Sequence, residues 1–371
     1  MDYLGKHIPK LGFGLMRLPM QGSEVDIEQT KAMVDTFISA GFTYFDTAYV
    51  YLNGKSEEAA KTALVERYPR EAFQLATKLP AWAAKNADEA RQMFYTSLAR
   101  TGAGYFDYYL LHNLGNDRTR YFNDYGLWDF TLELKAKGLI RHVGFSMHDK
   151  ADALEDILHT HPEMEFVQLQ INYDDWDSPT VESAKCIEVA KKYGKPVIIM
   201  EPVKGGLLAN PPMQAAEILK AANPAASLSS WAIRFAASLP GLITVLSGMS
   251  SIAQMEDNLA TFQPFIPLGE DERAVIERAK AVLSSISRIP CTACNYCAKD
   301  CPQGIAIPGI FHAMNKHIIF GNLQSAKGTY QFETREGGTA GKCIACGQCE
   351  AACPQHIPII RELKAAAAIM E

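Results

Sequence analysis

Between residues 10 and 250, short apolar runs alternate with longer stretches whose apolar positions recur every three or four residues. The runs are "LGFGL" (11–15), "TYFDTA" (43–48), "FQLATKL" (73–79), "DYYLLHNL" (107–114), "IRHVGFS" (140–146), "FVQLQINY" (166–173), "PVIIMEP" (196–202) and "LITVLSG" (242–248). Stretches between them, such as "SEEAAKTALVERY", "ADEARQMFYTSLAR" and "SAKCIEVAKKYG", have the period of amphipathic helices, some opening on a Ser or Asp cap. Eight strands alternating with helices predict parallel β/α units. The count and length suit a closed (β/α)8 TIM barrel of the α/β class. An open doubly wound sheet gives the same pattern. However, the chain has no G-x-G-x-x-G phosphate loop, since "LGFG" has the wrong spacing and no helix after it. Residues 252–286 add two helical stretches, and "SRIP" reads as a junction. The expected division is therefore a barrel over 1–285 and a small, mainly helical domain over 286–371.

Cysteine placement sets that second domain apart. Of nine cysteines, eight follow residue 290, in "CTACNYCAKDCP" (291–302) and "CIACGQCEAACP" (343–354). Only Cys186 lies elsewhere, in a helical stretch where a buried, inert thiol is expected. The N-terminal "MDYLGKHIPKLGFG" lacks the apolar core of a signal peptide, so a cytoplasmic chain is expected, and in that setting clustered cysteines point to metal ligation over disulfides. Each run reads C-x2-C-x2-C-x3-C-P, and each is followed by a short apolar stretch and a helix-like segment. A cubane [4Fe–4S] cluster needs four thiolates around a bulky core, and three closely spaced cysteines wrap one side of it. Structural zinc also uses C-x2-C pairs, and clusters that hold the fold without exchanging electrons are a further alternative. The module resembles the two-[4Fe–4S] ferredoxin type, in its α-helical version. That resemblance implies that the fourth cysteine of each run ligates the other cluster. Cys291, Cys294 and Cys297 then pair with Cys353, and Cys343, Cys346 and Cys349 with Cys301. The intervening "QSAKGTYQFETREGGTAGK" is polar and Gly-rich and reads as a loop.

A formal charge of −6 gives no basic footprint for nucleic acid or a membrane surface, and no apolar run is long enough to span a bilayer. Exposed clusters are sensitive to oxygen, so an anaerobic or microaerobic host is expected.

Four polar residues sit at the ends of the second, third and fourth predicted strands: Asp46, Tyr51 five residues on, Lys78 and His112. Singly, each has a bland reading, as a turn cap, a loop tyrosine, a solvated lysine and a satisfied core histidine. Together they fall at corresponding strand ends, and the C-terminal ends of barrel strands form the active face. Here the chain resembles the aldo-keto reductase family, from about residue 5 to 265. The resemblance is carried by "LGFGLMRLP", "GFTYFDTAYVY" with "SEEAAKTAL", "ATKLP", "YYLLHNL", "IRHVGFS", "VQLQINY" and "LSGMSSIAQMEDNL". It implies a catalytic tetrad of Asp46, Tyr51, Lys78 and His112. Tyr51 would protonate the carbonyl oxygen, Lys78 lower the phenol's pKa, Asp46 orient Lys78, and His112 hydrogen-bond the carbonyl. It also implies an NAD(P)H site formed by Ser146, Gln168, Met200, Gly248, Ser250, Gln254 and Asn258. The stretch "LSGMSSIAQMEDN" holds no Lys or Arg, so a 2′-phosphate clamp is not evident there. Lys204 is either within reach of a phosphate or solvated.

Hydride chemistry moves two electrons at once and a cluster moves one, so three readings stand. In the first, the barrel interconverts a small carbonyl substrate and its alcohol with NAD(P)H, beside two [4Fe–4S] clusters for electron transfer. In the second, a flavin such as FMN occupies the barrel and exchanges electrons with the clusters and a ferredoxin-like partner. In the third, the chain is a non-catalytic electron-transfer protein.

Overall fold

The computed structural model describes residues 4–115, 118–291, 293, 295–299, 301–353 and 355–371. In it all eight apolar runs are strands: β1 (Leu11–Gly14), β4 (Tyr44–Asp46), β5 (Gln74–Leu79), β6 (Phe106–Leu114), β7 (Ile140–Met147), β8 (Phe166–Gln170), β9 (Val197–Met200) and β10 (Leu242–Gly248). They close into a parallel barrel in the order β1-β10-β9-β8-β7-β6-β5-β4, so the closed alternative holds and the open sheet does not. Two very short strands, β2 (Met20–Gln21) and β3 (Glu24–Val25), form an antiparallel hairpin outside the barrel. Two-residue strands leave too little alternation to read in a sequence; only Gly22, at φ +62° in the turn, marks the reversal.

Inside the barrel, Tyr44, Ala76, Tyr108, Leu110, Phe166, Ile198, Ile243 and Leu246 form one buried cluster. Side chains on a strand alternate between faces. Two residues beyond Tyr44, Ala76, Leu110, Phe166 and Ile198, the same inner face carries Asp46, Lys78, His112, Gln168 and Met200. The apolar plug thus sits beneath a polar row at the C-terminal strand ends. Gly144 lets β7 and β8 approach, because a Cβ there would meet the Phe166 carbonyl oxygen at 2.4 Å. Ser146, two residues on, joins the polar row in register with Gln168.

Helices fill the connections as their periodicity predicts. Ala87–Thr101 starts where Asn86 Oδ1 accepts from Glu89 N (2.9 Å) and stops at Gly102, φ +63°. "SEEAAKTALVERY" becomes an α-helix, Lys55–Ala60, that loosens into a π-helical turn, Lys61–Val65. The stretches over 252–286 are helices Ile252–Phe262 and Glu270–Ser285. No described helix is long and apolar enough to cross a membrane.

Compactness divides the chain into two units. One comprises residues up to Gly205 with Ser229–Glu270; the other joins Gly206–Leu228 to Asp271–Glu371. The second is helical, with Ile307–Phe320, Leu323–Thr334 and Ile359–Met370 as its longest cysteine-proximal elements. Leu323–Thr334 overturns the loop expected over "QSAKGTYQFETREGGTAGK". Gly and hydroxyl residues lower its local helix preference, but Ala326, Tyr330 and Thr334 recur every four residues as a buried stripe. Asn322 caps the helix, its Oδ1 accepting from Ser325 N (2.9 Å), and the helix lies against Ile307–Phe320. Tertiary packing therefore overrides propensity. The unit's core combines Ile305, Ile307, Ile357 and Ile359 with Cys297, Cys349 and Cys353.

Candidate functional site

Lys78 is the hub of the polar row. Its side chain is 1% exposed, and its Nζ donates to Asp46 Oδ1 (2.5 Å), the Thr47 carbonyl (2.8 Å) and the Tyr51 hydroxyl (3.2 Å). An ammonium has three donors and no acceptor. All three are used inside the protein, so the nitrogen is satisfied only as a cation. The Tyr51 oxygen accepts from it, which leaves the phenolic hydrogen to be given elsewhere. Backbone geometry assists: Leu52 and Asn53, at φ +51° and +56°, turn the chain sharply just after Tyr51.

Electrostatics at the hub reflect deep burial. Desolvation pulls Lys78 down, yet Asp46 and Tyr51 more than offset it, and its pKa stays above the ordinary lysine value. Burial pushes Asp46 up against the pull of Lys78. Burial also pushes Tyr51 up, and the opposing pull of Lys78 does not restore it to the ordinary phenol value. Lys78 thus pulls the phenol down in the expected direction, while desolvation outweighs it and the net shift is upward. His112 goes the other way: burial, then the charges of Lys78, His148 and Arg118, hold it well below the usual imidazole range, so it is neutral at neutral pH. Its ring lies edge-on to Tyr51, centroids 5.9 Å apart, and its Nδ1 is buried without a partner.

Gln168 bridges the tetrad to the next strands. Its Nε2 donates to Asp46 Oδ2 (3.4 Å), while its Oε1 is buried and unpartnered. A carboxamide N–H is the kind of group that would satisfy this acceptor. Ser146, also buried, accepts from Asn113 N (2.8 Å) and keeps its own hydrogen to give. Met200 ends β9 beside Gln170. At the end of β10, Gly248 is exposed; Ser250 Oγ donates to the Arg17 carbonyl (2.7 Å), and Ser250 N donates to Gln254 Oε1 (2.7 Å). Asn258 is buried and donates to Ser247 Oγ (2.7 Å). Gln254 therefore braces the start of the Ile252–Phe262 helix, which Ser251 caps, and Asn258 ties its middle to the end of β10.

Three features escape the sequence reading. Lys204 is neither solvated nor directed at a ligand. Its ammonium pairs with Asp174 (2.9 Å) and with Asp175, which is also held by Gln170 Nε2 (2.8 Å) and Asn172 Nδ2 (2.7 Å). Arg17, on the segment after β1, supplies a cation near the β10 end: a Cβ on Gly248 would lie 3.4 Å from its side chain, and one on Gly205 3.2 Å from its guanidinium. Adjacency of β1 and β10 in the closed barrel produces this, and local sequence does not show it. Finally, Trp82 lies beside His112 (ring centroids 6.3 Å apart), with the Arg118 guanidinium 5.3 Å from its ring. Cys186 is buried as expected, its thiol pushed up to about 12 by burial.

In the second unit the cysteines line two small cavities. Cys291, Cys297 and Cys353 line one, with Phe311 and Ile357; Cys294 lies outside the described residues. Cys301 lines the other with Cys343, Cys346 and Cys349. Among the described residues, the last cysteine of each run thus sits with cysteines of the other, Cys353 with Cys291 and Cys297, and Cys301 with Cys343, Cys346 and Cys349. Among the described residues no three His, Cys, Asp or Glu side chains are gathered tightly enough for a single metal ion. Cysteines gathered in two such groups suit the four thiolate ligands that a cubane takes. Backbone conformation repeats as well. Ala293 and Asn295 adopt φ +54° and +64°; Ala345 and Gly347, at the same offsets in the second run, adopt +56° and +81°. Gly304 and His356, three residues after the last cysteine of each run, match again at +58° and +50°. Left-handed residues gather backbone N–H groups into concave nests that favour negative charge, which is what a thiolate-bound cluster presents.

The aldo/keto reductase family model matches residues 10–281, and a 4Fe-4S dicluster domain model matches residues 290–357. An aldo-keto reductase of Mycobacterium sp. (strain MCS) is 26% identical over 273 residues, covering 73% of this chain and 87% of that protein. Solved structures share the barrel fold. Aldo-keto reductase AKR11C1 from Bacillus halodurans, in its holo form, superposes with a TM-score of 0.59 at 23% identity, covering 73% of this chain and 92% of that one. An aldo-keto reductase from Klebsiella pneumoniae in complex with NADPH gives 0.58 at 21%, covering 73% and 90%.

Proposed function

The chain belongs to the aldo/keto reductase family and carries a 4Fe-4S dicluster domain, and on that footing we propose that its barrel interconverts a carbonyl and an alcohol with NAD(P)H, Tyr51 supplying the proton. It is an oxidoreductase, so the reading as a non-catalytic carrier falls away. One observation carries the proposal: the Tyr51 oxygen accepts from a fully engaged Lys78 ammonium and keeps its own hydrogen available. NADPH is bound by the Klebsiella pneumoniae protein. Here Gln168 and Ser146 suit the carboxamide, and Arg17 beside Gly248 suits the phosphates. Nothing in the relatives supports a flavin.

A bound reduced nicotinamide supplies hydride to the carbonyl carbon. Every other part falls to this chain's residues. Tyr51 donates its proton to the carbonyl oxygen as negative charge develops there. The phenolate left behind is stabilised by Lys78, already hydrogen-bonded to that oxygen. Asp46 and the Thr47 carbonyl hold Lys78 in place. Neutral His112, against the Tyr51 ring, shapes the site without competing for the proton. In the reverse direction the Tyr51 phenolate takes the alcohol's proton.

The proposal is tested by purifying the protein without oxygen and titrating it with NADPH and NADH, then measuring nicotinamide consumption with simple aldehydes. Saturable binding and aldehyde-dependent consumption are expected. Released flavin with no binding of either nicotinamide would overturn the reading. The pH profile gives a second check. The acid must be protonated, and burial shifts its pKa upward from the ordinary phenol value, so reduction should stay level across the neutral and mildly alkaline range and fall only in strong alkali. Because His112 is held neutral, it adds no step across the neutral range. A descending limb centred near pH 7 would mean that another group gives the proton.

A further inference from the structure

In the second unit, the chain enters each cysteine run through a residue gripped by a side chain from the helices Ile307–Phe320 and Leu323–Thr334. At the first run Asn315 grips Ile289 twice. Its Oδ1 accepts from Ile289 N (2.8 Å), and its Nδ2 donates to the Ile289 carbonyl (2.9 Å). That same carbonyl accepts from Cys291 N (2.8 Å), so Asn315 fixes the turn that carries the first thiol. At the second run Tyr330 does the equivalent. Its buried hydroxyl accepts from Ala340 N (2.7 Å) and donates to Glu371 Oε1, which also accepts from Gly341 N (3.0 Å). The Ala340 carbonyl in turn accepts from Cys343 N (3.1 Å). Gly341 leaves room for the carboxylate, since a Cβ there would collide with Glu371 Oε2. Ile289 and Ala340 are both buried in the unit's core. The two entrances use unrelated chemistry, an amide at one and a phenol with a carboxylate at the other. Both tie down the backbone two or three residues ahead of a first cysteine, with side chains that are not cluster ligands.

We propose that Asn315 and the Tyr330–Glu371 pair are positioning residues, each holding one cluster site in shape before iron arrives. Asn315 serves the site of Cys291 and Cys297; Tyr330 with Glu371 serves the site of Cys343, Cys346 and Cys349. A cysteine already fixed by its neighbours has less conformational freedom to lose when it binds metal. Its cluster therefore forms more readily and is released more slowly. The inference rests on the dicluster reading. It does not depend on which cluster the fourth cysteines serve, because Cys291 and Cys343 stay with their own runs under either pairing. Control is local: loosening one entrance loosens one cluster.

The experiment exposes the full-length, cluster-loaded protein to a ferrous-iron chelator without oxygen and follows cluster absorbance and released iron. Tyr330→Phe should let about four of about eight iron atoms leave about tenfold faster, the scale of one or two lost hydrogen bonds. Asn315→Leu should do the same to the other four, and the double variant to all of them. Glu371 is exposed, so Glu371→Ala should reproduce the Tyr330→Phe result without disturbing the core. Glu371→Gln, whose amide oxygen still accepts both bonds, should release iron at nearly the parent rate. Adding Cys346→Ala leaves one cluster and identifies the site: there Asn315→Leu should still speed release and Tyr330→Phe should not. Release of all the iron at one raised rate in a single variant would mean a general loosening of the unit and would overturn the inference. Parent-like release in Tyr330→Phe or in Asn315→Leu would overturn it as well. An iron-free parent protein, measured first, would overturn the dicluster reading and this inference with it.

Discussion

Tyr51→Phe is expected to lower kcat/KM for carbonyl reduction by about a thousandfold, the scale of losing a positioned general acid. The substitution is conservative. Phe keeps the ring that lies edge-on to His112 and removes only the hydroxyl, whose one hydrogen bond within the site comes from Lys78. Lys78 retains Asp46 and the Thr47 carbonyl as acceptors. The fold should therefore persist, and iron content and visible absorbance should match the parent protein. The measurement is steady-state nicotinamide oxidation, with iron determined on the same sample. Turnover within tenfold of the parent would show that the proton comes from elsewhere.

The second large effect concerns the crossing of the two cysteine runs. Cys301→Ala should cut iron from about eight to about four atoms per chain, because it opens only the site with Cys343, Cys346 and Cys349. Double variants decide the pairing, since losses within one site do not add. Cys301→Ala with Cys346→Ala should lose no more iron than either alone. Cys301→Ala with Cys353→Ala should lose nearly all of it. The opposite pattern would mean that each run serves its own cluster.

Much of this architecture is legible in the chain, and the failures share a cause. All eight barrel strands follow from apolar runs, because a strand buried on both faces must be apolar along its length. Asp46, Lys78 and His112 fall on one inner row because the strand period is two, and closure of the barrel brings Tyr51 to them. What sequence misses is set by contacts between distant segments. The Leu323–Thr334 helix is weak locally and is held by its neighbour. Lys204 reads as a solvated lysine until its loop meets Asp174 and Asp175. Arg17 reaches the β10 end only because the first and last strands are adjacent. The pKa of Tyr51 depends on how completely burial removes water, which no motif encodes.

The exchange of cysteines between the two cavities also bears on how the protein is made. Cys291 and Cys297 emerge from the ribosome well before Cys353, which closes the same cavity. The other cavity begins with Cys301 and waits for Cys349. Neither socket is whole until nearly the entire chain has been synthesised. Barrel translation is by then long finished, so on the crossed pairing cluster loading is expected to be a late maturation event, and a chain cut short before residue 349 would lack a complete cysteine set for either cluster.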